Sequence, residues 1–381
     1  MTMKKEVIFC ISVGRSDYDR YFPIINELNN RKNIKLYIVT TKSHQNPTFG
    51  KTLSYIDPQF KVLKKKYSSF RENDDLIKTF SEDINFLNTL IKKYNPDKII
   101  VLGDRFEMLI GPIAAIPYNL PVIHLFGGSV TLGAIDELVR HAITKMSHIH
   151  YPLLDTYKKR IIQMGEEKWR VKSIGMHELK DLEKIKDNKT LISNKFDFKL
   201  PFMLITYHPV TLELKKLNYQ LIELKKAIKK ININAVITYP NADKKNKVII
   251  DFIKKNFSDK KKYLILKNSG KKIYTFLLKN CEFLLGNTSS GIVEAATFKK
   301  IAINIGTRQD GKYKPKNVIN AKYNYQSILN AIRKTMKVKD YFKKKKFRNP
   351  YDPKIKINKL VDLILKINKT DKVLRKKFMN L

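Results

Sequence analysis

A segment from Leu284 to Gly311 constrains the fold more than any other part of the chain. Two short apolar runs, at 281–285 and 301–305, flank residues that open with Gly, Asn, Thr and Ser. Those openers favour a helix N-terminus, so the segment predicts a strand, a tight turn, a helix over 291–300 and a second strand. Such a unit is half of a nucleotide-binding α/β fold.

The turn of this segment also predicts an anion site. Backbone N–H groups and the hydroxyls of Ser289 and Ser290 would gather at a helix N-terminus, where phosphate binds readily. Arg308 follows the second strand, and its planar guanidinium suits a phosphate group. An ordinary capped turn without a ligand is the alternative that the spacing leaves open.

Strand and helix patterns alternate along the rest of the chain, which predicts α/β folding with parallel sheets. The runs that indicate buried strands include 7–13, 35–40, 98–102, 122–125, 203–206 and 235–238. A length of 381 residues suits two domains. We place them at 1–190 and 191–350, with 351–381 as a helical C-terminal segment. Charged, Asn-rich residues at 180–199 suggest a connector between them.

The net charge of +41 comes mostly from Lys. Lys runs could indicate binding to nucleic acid or to an anionic membrane surface. However, the Lys residues are scattered over predicted helix faces and loops, and the chain carries no nucleic-acid motif. A positive field would still attract an anionic substrate.

Cys10 and Cys281 each lie in an apolar, strand-like run. This pattern predicts buried free thiols in a reducing compartment. The first apolar run is too short for a signal peptide, and no run is long enough to span a bilayer. We therefore expect a soluble cytoplasmic protein.

Charged residues follow the predicted strand at 98–102. The sequence there is Gly103-Asp104-Arg105-Phe106-Glu107. Ligands bind at the carboxyl ends of parallel strands, so Asp104, Arg105 and Glu107 are candidates for a functional site. Asp104 as a simple helix cap is the alternative.

A second acid/base cluster lies on one turn of a later predicted helix. It consists of Asp136, Glu137, Arg140 and His141. A solvated helix start is the alternative, but the position after a strand favours function.

Three histidines are weaker candidates for functional residues. His208 follows a strand and precedes Pro209, which holds it extended, so it is a candidate phosphate or acid/base group. His148 and His150 could suggest a metal, but no carboxylate or Cys stands at ligand spacing, and a structural role is expected.

Eight short segments, spread in order over most of the chain, carry the most specific signal. They are Arg15-Ser16-Asp17-Tyr18, GDRFE at 103–107, GAIDELVRHAITKMSHIHY at 133–151, Gly175, HPVT at 208–211, PNAD at 240–243, GNTSSGIVEA at 286–295 and NIGTRQ at 304–309. Together they resemble the hydrolysing UDP-N-acetylglucosamine 2-epimerases of sialic-acid and nonulosonate biosynthesis. The resemblance implies two Rossmann-like domains facing a cleft, as in glycosyltransferase-B folds, with a C-terminal helix crossing back to the first domain.

The resemblance also implies a reaction. The nucleoside diphosphate leaves C1 while a base removes the C2 proton, and water then adds to the resulting glycal with inversion at C2. Expelling a diphosphate needs cations and N–H donors, and the proton transfers need carboxylates of raised pKa. Which carboxylate is the base stays open.

Site roles follow from the same resemblance. The residues implied in catalysis are Asp104, Arg105, Glu107, Asp136, Glu137, Arg140 and His208. Those implied in substrate and nucleotide binding are Arg15, Asp17, Tyr18, His208, Asn241, Ser289, Ser290, Gly291, Glu294 and Arg308. No metal or cofactor is expected, because the protein supplies the positive charge. The implied partners are a nucleotide sugar and further copies of the chain, as a dimer or tetramer, without nucleic acid or membrane insertion.

One loop departs from the family pattern. Family members carry sequences such as H-I-E-G-G-E or H-I-H-G-G-E, whereas this chain has Phe126 and Ser129 in that loop, and Leu132 where a second Glu is common. Either the substrate differs, for instance a diacetamido or GDP-linked sugar, or the chemistry is altered. A glycosyltransferase of the same fold and a catalytically impaired nucleotide-sugar-binding protein are the alternatives.

Overall fold

The computed structural model describes residues 5–45, 52–67, 76–132, 135–186, 196–240, 245–267, 269–344 and 347–380. The chain divides into two compact units. Unit 1 comprises Met1–Ser129, Ile135–Glu178 and Pro353–Leu381, and unit 2 comprises Val130–Ala134 and Leu179–Asp352.

Unit 1 is built on a parallel sheet. Its strands are β1 (Glu6–Ser12), β2 (Ile34–Thr40), β3 (Lys61–Leu63), β4 (Lys98–Leu102), β5 (Val122–Leu125) and β6 (Ile149–Tyr151). The helices between them are α1 (Arg15–Asn29), α2 (Leu76–Tyr94), α3 (Ile110–Ala115) and α4 (Asp136–Met146), and α5 (Asp155–Gln163) follows β6. The strand order is β3-β2-β1-β4-β5-β6. Strands buried on both faces explain the continuous apolar runs in the sequence.

Unit 2 repeats this architecture after α6 (Glu178–Lys184). Its strands are β7 (Phe202–Thr206), β8 (Asn234–Thr238), β9 (Tyr263–Leu266), β10 (Phe283–Gly286), β11 (Ile301–Ile305) and β12 (Val318–Ala321). Its helices are α7 (Leu217–Lys230), α8 (Asn246–Asn256), α9 (Gly270–Asn280), α10 (Ser289–Val293) and α11 (Tyr325–Lys344). The order β12-β11-β10-β7-β8-β9 is again fully parallel.

Both sheets have the Rossmann strand order, so the predicted pair of Rossmann-like domains is confirmed. The order reverses between β1 and β4 in unit 1, and between β7 and β10 in unit 2. We call the loops that follow these strand pairs the unit 1 and unit 2 switch points. Connections leave such a strand pair in opposite directions and open a crevice where ligands bind.

The core of unit 2 shows how one strand serves two layers. Met203 and Ile205 pack with Leu221 and Ile332 on one face of the sheet. The alternate residues of the same strand pack on the other face, with Phe276 and Leu284 among their partners. Side chains alternate along a strand, so β7 anchors helices on both sides and its end is held rigidly.

The chain returns to unit 1 at its C-terminal end through α12 (Ile357–Leu365) and α13 (Asp371–Leu374). The wholly buried Lys98 donates from Nζ to the carbonyl of Ile364 at 3.0 Å. Arg170, also buried, donates from Nη1 to the carbonyl of Val373 at 2.8 Å. The crossing of a C-terminal helix back to the first domain, which the sequence resemblance implied, is therefore confirmed.

Three predicted elements differ from the structure. The helix expected over 291–300 is α10, which ends at Val293, and the chain then turns, with Lys299 at φ +53°. From Thr297 to Lys299 the backbone N–H groups bond to the carbonyl three residues earlier, as in turns, so the α-helical ladder is not continued. The helix that Asp104 would cap is instead a 3₁₀ turn, Phe106–Leu109, with Arg105 at its N-cap, and α3 follows it. The expected connector at 180–199 begins inside α6, while 187–195 lie outside the described residues.

No helix in the described part of the chain has both the length and the apolar character needed to cross a membrane.

Candidate functional site

At the unit 1 switch point and on the adjoining helix α4, carboxylates pair with arginines. Arg140 on α4 is wholly buried and donates from Nη1 to Glu137 Oε2 at 2.6 Å and from Nε to Asp104 Oδ2 at 3.1 Å. Burial disfavours its charge, but Asp104 and Glu137 outweigh this effect and hold the pKa of Arg140 above its usual value. The structure thus brings two predicted clusters, 103–107 and 136–141, together around one guanidinium.

A second pair lies beside the first. Glu107 is buried and accepts a hydrogen bond from Ser43 Oγ at 2.9 Å through Oε1. Its Oε2 lies 3.7 Å from Arg105 Nε. Burial opposes the charge of Arg105, yet Glu107, then Asp17 and Asp136, hold the pKa of this guanidinium above its usual value. The Arg105 side chain is 43% exposed, and carboxylates from three parts of unit 1 act on its charge.

Asp17 at this switch point and Asp136 on the adjoining α4 both have a raised pKa. Burial raises the pKa of Asp17 to about 6; Arg105 and Arg20 oppose the rise, and Asp104 adds to it. Burial, followed by the charge of Asp104, also raises the pKa of Asp136. Raised carboxyl pKa values are the property that proton transfer near neutral pH requires.

Tyr18 and Arg15, two expected binding residues at the start of α1, contact other residues of unit 1. The buried Tyr18 accepts a hydrogen bond from the Asp57 backbone N–H at 2.9 Å and packs edge-on against Phe60. These contacts give Tyr18 a structural role, and its role in binding stays a prediction. Arg15 is the first residue of α1, and its guanidinium lies 5.5 Å from the ring centre of Tyr55.

The unit 2 switch point is organised by Asn287, which follows β10. Its Oδ1 accepts the backbone N–H of His208 at 2.7 Å, and its Nδ2 donates to the His208 carbonyl at 2.8 Å. Asn287 is fully buried, and His208 follows β7 closely. One amide side chain therefore fixes the backbone of the predicted functional histidine from the neighbouring strand.

The same asparagine also anchors the loop after β11. Its backbone carbonyl accepts from Arg308 Nη1 at 3.2 Å and from Gln309 Nε2 at 2.8 Å. Burial, and then the charge of Arg308, lower the pKa of His208 to about 3. His208 is accordingly a neutral imidazole at pH 7, which can donate an N–H but carries no positive charge.

The turn into α10 holds the predicted phosphate-binding hydroxyls. Thr288 caps the helix by accepting the Ser290 N–H at 3.4 Å, and Ser290 Oγ donates to Glu294 Oε2 at 2.9 Å. Ser289 is the first residue of α10 and is half-buried. At Gly291, an added Cβ would lie 2.7 Å from Leu284 Cδ2 on β10, so a larger residue there would displace the Leu284 side chain.

The loop that departs from the family pattern is shaped by its backbone. Phe126 is buried and adopts φ +65°, which is uncommon outside glycine. Ser129 contributes its carbonyl, which accepts from Arg140 Nη1 at 3.0 Å. Leu132 is 65% exposed. The remaining expected residue, Asn241, lies outside the described residues.

The two other histidines have structural partners. His148 Nδ1 accepts the backbone N–H of Val122 at 3.1 Å. The buried His150 lies 3.1 Å from Glu166 Oε2, and Glu166 also pairs with Lys145 and Lys376. Both contacts agree with the structural role expected from the sequence.

Sequence reasoning assigned no role to Asn287 or Gln309, although both stand in the quoted segments. The usable signal was a polar amide placed between the Gly that ends a strand and the residues that begin a helix. Its partner His208 is 79 residues away, so no local pattern indicates which groups the amide binds.

Comparison with known proteins gives three findings. The family model described as UDP-N-acetylglucosamine 2-epimerase matches residues 26–365. A GDP/UDP-N,N'-diacetylbacillosamine 2-epimerase (hydrolyzing) from Campylobacter jejuni is 36% identical over 335 residues, covering 84% of this chain and 85% of that protein. A UDP-N,N'-diacetylbacillosamine 2-epimerase (hydrolyzing) from Legionella pneumophila is 30% identical over 324 residues, with 84% and 85% covered.

Among solved structures, UDP-GlcNAc 2-epimerase from Neisseria meningitidis bound to UDP-GlcNAc has a TM-score of 0.77 to this chain. The identity is 17%, and the match covers 94% of this chain and 98% of that chain. At this identity the likeness concerns the fold alone.

Proposed function

Since this chain belongs to the UDP-N-acetylglucosamine 2-epimerase family, we propose that it is a hydrolysing 2-epimerase of a nucleotide-diphospho-N-acetylhexosamine. The observation that carries the proposal is the cluster of carboxylates and two arginines at the unit 1 switch point, where Asp104 and Glu137 share Arg140. Epimerisation at C2 requires proton removal and proton return, and the cluster includes two carboxyl groups of raised pKa, Asp17 and Asp136.

In the proposed reaction, a carboxylate takes the proton from C2 as the C1–O bond to the diphosphate breaks. A C1–C2 double bond forms, and the diphosphate leaves with the electron pair. Water then adds at C1 while a carboxyl group returns a proton to the opposite face of C2. Arg105 and Arg140 keep their charge inside the site and stabilise the ionised acids around them.

Unit 2 is proposed to bind the nucleoside diphosphate. Arg308 is the cation for the phosphates, and the hydroxyl of Ser289, the Ser290 side chain and a neutral His208 supply hydrogen-bond donors. Glu294, paired with Ser290 at 2.9 Å, is proposed to accept from the ribose hydroxyls. Support comes from the convergence of these residues at the ends of β7, β10 and β11.

For the sugar, we propose a UDP- or GDP-linked 2,4-diacetamido hexose in preference to UDP-N-acetylglucosamine. Two relatives with 30% and 36% identity are named for diacetylbacillosamine. The buried apolar Phe126 stands where family patterns have a polar residue, which suits a less polar sugar. Nucleotide sugars and two buried free thiols fit a reducing cytoplasmic setting. We also propose a homo-oligomer, a dimer or tetramer, on the resemblance alone.

The test is incubation with UDP-N-acetylglucosamine, and with UDP- and GDP-diacetylbacillosamine, in deuterated water without an acceptor. We expect release of the nucleoside diphosphate and a free sugar inverted and deuterated at C2. Release only when an acceptor sugar is added would indicate a glycosyltransferase. Binding of all three compounds without turnover would indicate a nucleotide-sugar-binding protein.

Two variants separate the proposed roles of the units. Asp104→Asn should lower turnover by at least about 100-fold with nucleotide affinity retained, whereas Arg308→Ala should weaken nucleotide binding by about tenfold or more. Asp251→Asn on the exposed face of α8 is the matched control and should leave both quantities unchanged. Loss of folding in both site variants would show that these residues are structural.

A further inference from the structure

The acids of the unit 1 switch point are not equally available for proton transfer. Asp104 is held by Arg140, and Glu137 pairs with Arg140 and, at 3.0 Å, with His141. Both oxygens of Glu107 are engaged, one by Ser43 and the other by Arg105. Each of these three carboxylates therefore has oxygens already engaged by neighbouring side chains.

Asp17 differs from these acids. Its side chain is only 5% exposed, and its Oδ2 has no hydrogen-bond partner among the described residues. A buried carboxylate oxygen without a partner is energetically unfavourable, and such groups persist where function requires them. Asp17 lies in the first turn of α1, directly after β1, and β1 pairs with β4. It therefore occupies the unit 1 switch point together with Asp104.

The charged groups that act on Asp17 come from two elements. Arg105, Asp104 and Glu107 act from the loop after β4, and Arg20 acts from the next turn of α1. The effect of burial is larger than the effect of each of these charges, and it raises the pKa of Asp17 to about 6. The carboxyl is thus mostly ionised at pH 7.5, yet it binds a proton far more readily than an ordinary aspartate does.

The loop where family patterns place acids provides no substitute. Between Phe126 and Leu132 the sequence contains no carboxylate, and Ser129 contributes only a carbonyl to the contacts with Arg140. A proton acceptor in this chain has to come from another part of unit 1.

We infer that Asp17, which the sequence resemblance had placed among the binding residues, is the base that removes the C2 proton in the reaction proposed above, on which this inference rests. The C2–H bond breaks and an O–H bond forms on Oδ2. The C–H electron pair becomes the C1–C2 double bond, and the C1–O bonding pair leaves with the diphosphate. The proton returned to C2 on the opposite face comes from a second carboxyl, for which Asp136 is the candidate.

The decisive variant is Asp17→Asn, which keeps the size of the side chain and removes the proton acceptor. We expect kcat to fall by at least about 100-fold, with UDP affinity within about threefold of the wild type. In the wild type, kcat should rise through pH 6 as Asp17 ionises, and the residual activity of Asp17→Asn should lack this limb. Asp19→Asn, on the same helix turn and half-buried, is the control and should keep the wild-type rate and pH profile.

The alternatives give different results. If Asp17 only binds the nucleotide, Asp17→Asn raises KM or weakens UDP binding while kcat and its pH limb remain, and the inference is overturned. If Asp17→Asn does not fold, Asp17→Glu decides: a lower kcat with the limb near pH 6 supports the base role, and an unchanged kcat overturns it. A wild-type enzyme inactive on all tested sugars instead overturns the proposed function, and the inference with it.

Discussion

The switch points of units 1 and 2 lie at the same place in the same strand order. The first is formed by charged side chains, and the second is organised by an amide and a neutral histidine. In unit 1, the loops after β1 and β4 crowd Asp17, Asp104 and Glu107 around arginines. In unit 2, the loops after β7 and β10 hold His208 and Asn287, which interact through amide and backbone hydrogen bonds. Identical architecture therefore leaves the chemistry to the few residues that follow each strand.

The difference also concerns how each switch point is stabilised. Unit 1 depends on compensation of buried charge, with one wholly buried guanidinium serving two acids. The unit 2 switch point depends on the hydrogen bonds of Asn287, which connect it to His208, Arg308 and Gln309. Removing one partner of a buried ion pair costs more unfolding free energy than removing one partner of a neutral hydrogen bond, so variants can test the comparison.

The largest effect is expected for Arg140→Ala. Removal of this guanidinium leaves Asp104 and Glu137 without their cation, so the free energy of unfolding should fall by about 3–5 kcal/mol, and turnover should be lost. Arg31→Ala is the matched control, because Arg31 pairs with Asp362 at the surface, and it should cost less than about 1 kcal/mol. Urea unfolding measures both. Equal costs would contradict the view that unit 1 relies on charge compensation.

An intermediate effect is expected for Asn287→Leu. The buried N–H and carbonyl of His208 would lose their partners, which should cost about 1–3 kcal/mol of unfolding free energy and weaken UDP binding by about tenfold. Calorimetric titration with UDP measures the second quantity. Asn317→Leu removes a comparable buried bond, to the Lys300 carbonyl at 2.9 Å, and should reduce stability only. Weakened UDP binding in both variants would make the loss a general consequence of destabilisation.

The smallest effect is a pH dependence of opposite sign in the two units. His208 has a folded pKa of about 3, below its unfolded value, so its contribution to stability is lost as pH falls below about 6.5. Asp17 has a folded pKa of about 6, above its unfolded value, so its contribution grows as pH falls through 6. From pH 7 to 5, each changes the unfolding free energy by on the order of 1 kcal/mol.

Variants separate these two contributions. His208→Asn should make the fall in unfolding free energy from pH 7 to 5 shallower than in the wild type, and Asp17→Asn should make it steeper. Urea unfolding at the two pH values gives the slopes. A slope that shifts in the same direction in both variants would contradict the assigned ionisation states.

Much of the fold could be predicted because strand signals are local. The runs at 98–102 and 122–125 coincide with β4 and β5, since strands buried on both faces have continuous apolar sequences. Short edge strands were missed: β3 has three residues, and β12 has four, of which only Ala321 is buried. The helix expected over 291–300 was too long because capping residues indicate where a helix begins and not how far it continues.

The candidate site was only partly predictable for a related reason. Quoted motifs contain nearly all of the residues found at the two switch points, but the pairings connect distant positions, such as Asp104 with Arg140 and His208 with Asn287. The motif likewise did not indicate that the Tyr18 ring packs against Phe22 and Phe60. The domain boundaries and the roles of individual site residues stay predictions.

The sequence by itself determined the alternation of strands and helices, the family resemblance and the position of polar residues at strand ends, because each of these depends on neighbours along the chain. Only the tertiary structure decided which acids are compensated, that His208 is neutral, and that one oxygen of Asp17 is buried without a partner. Those properties depend on burial and on charges brought close by strand order, and neither is encoded in local spacing.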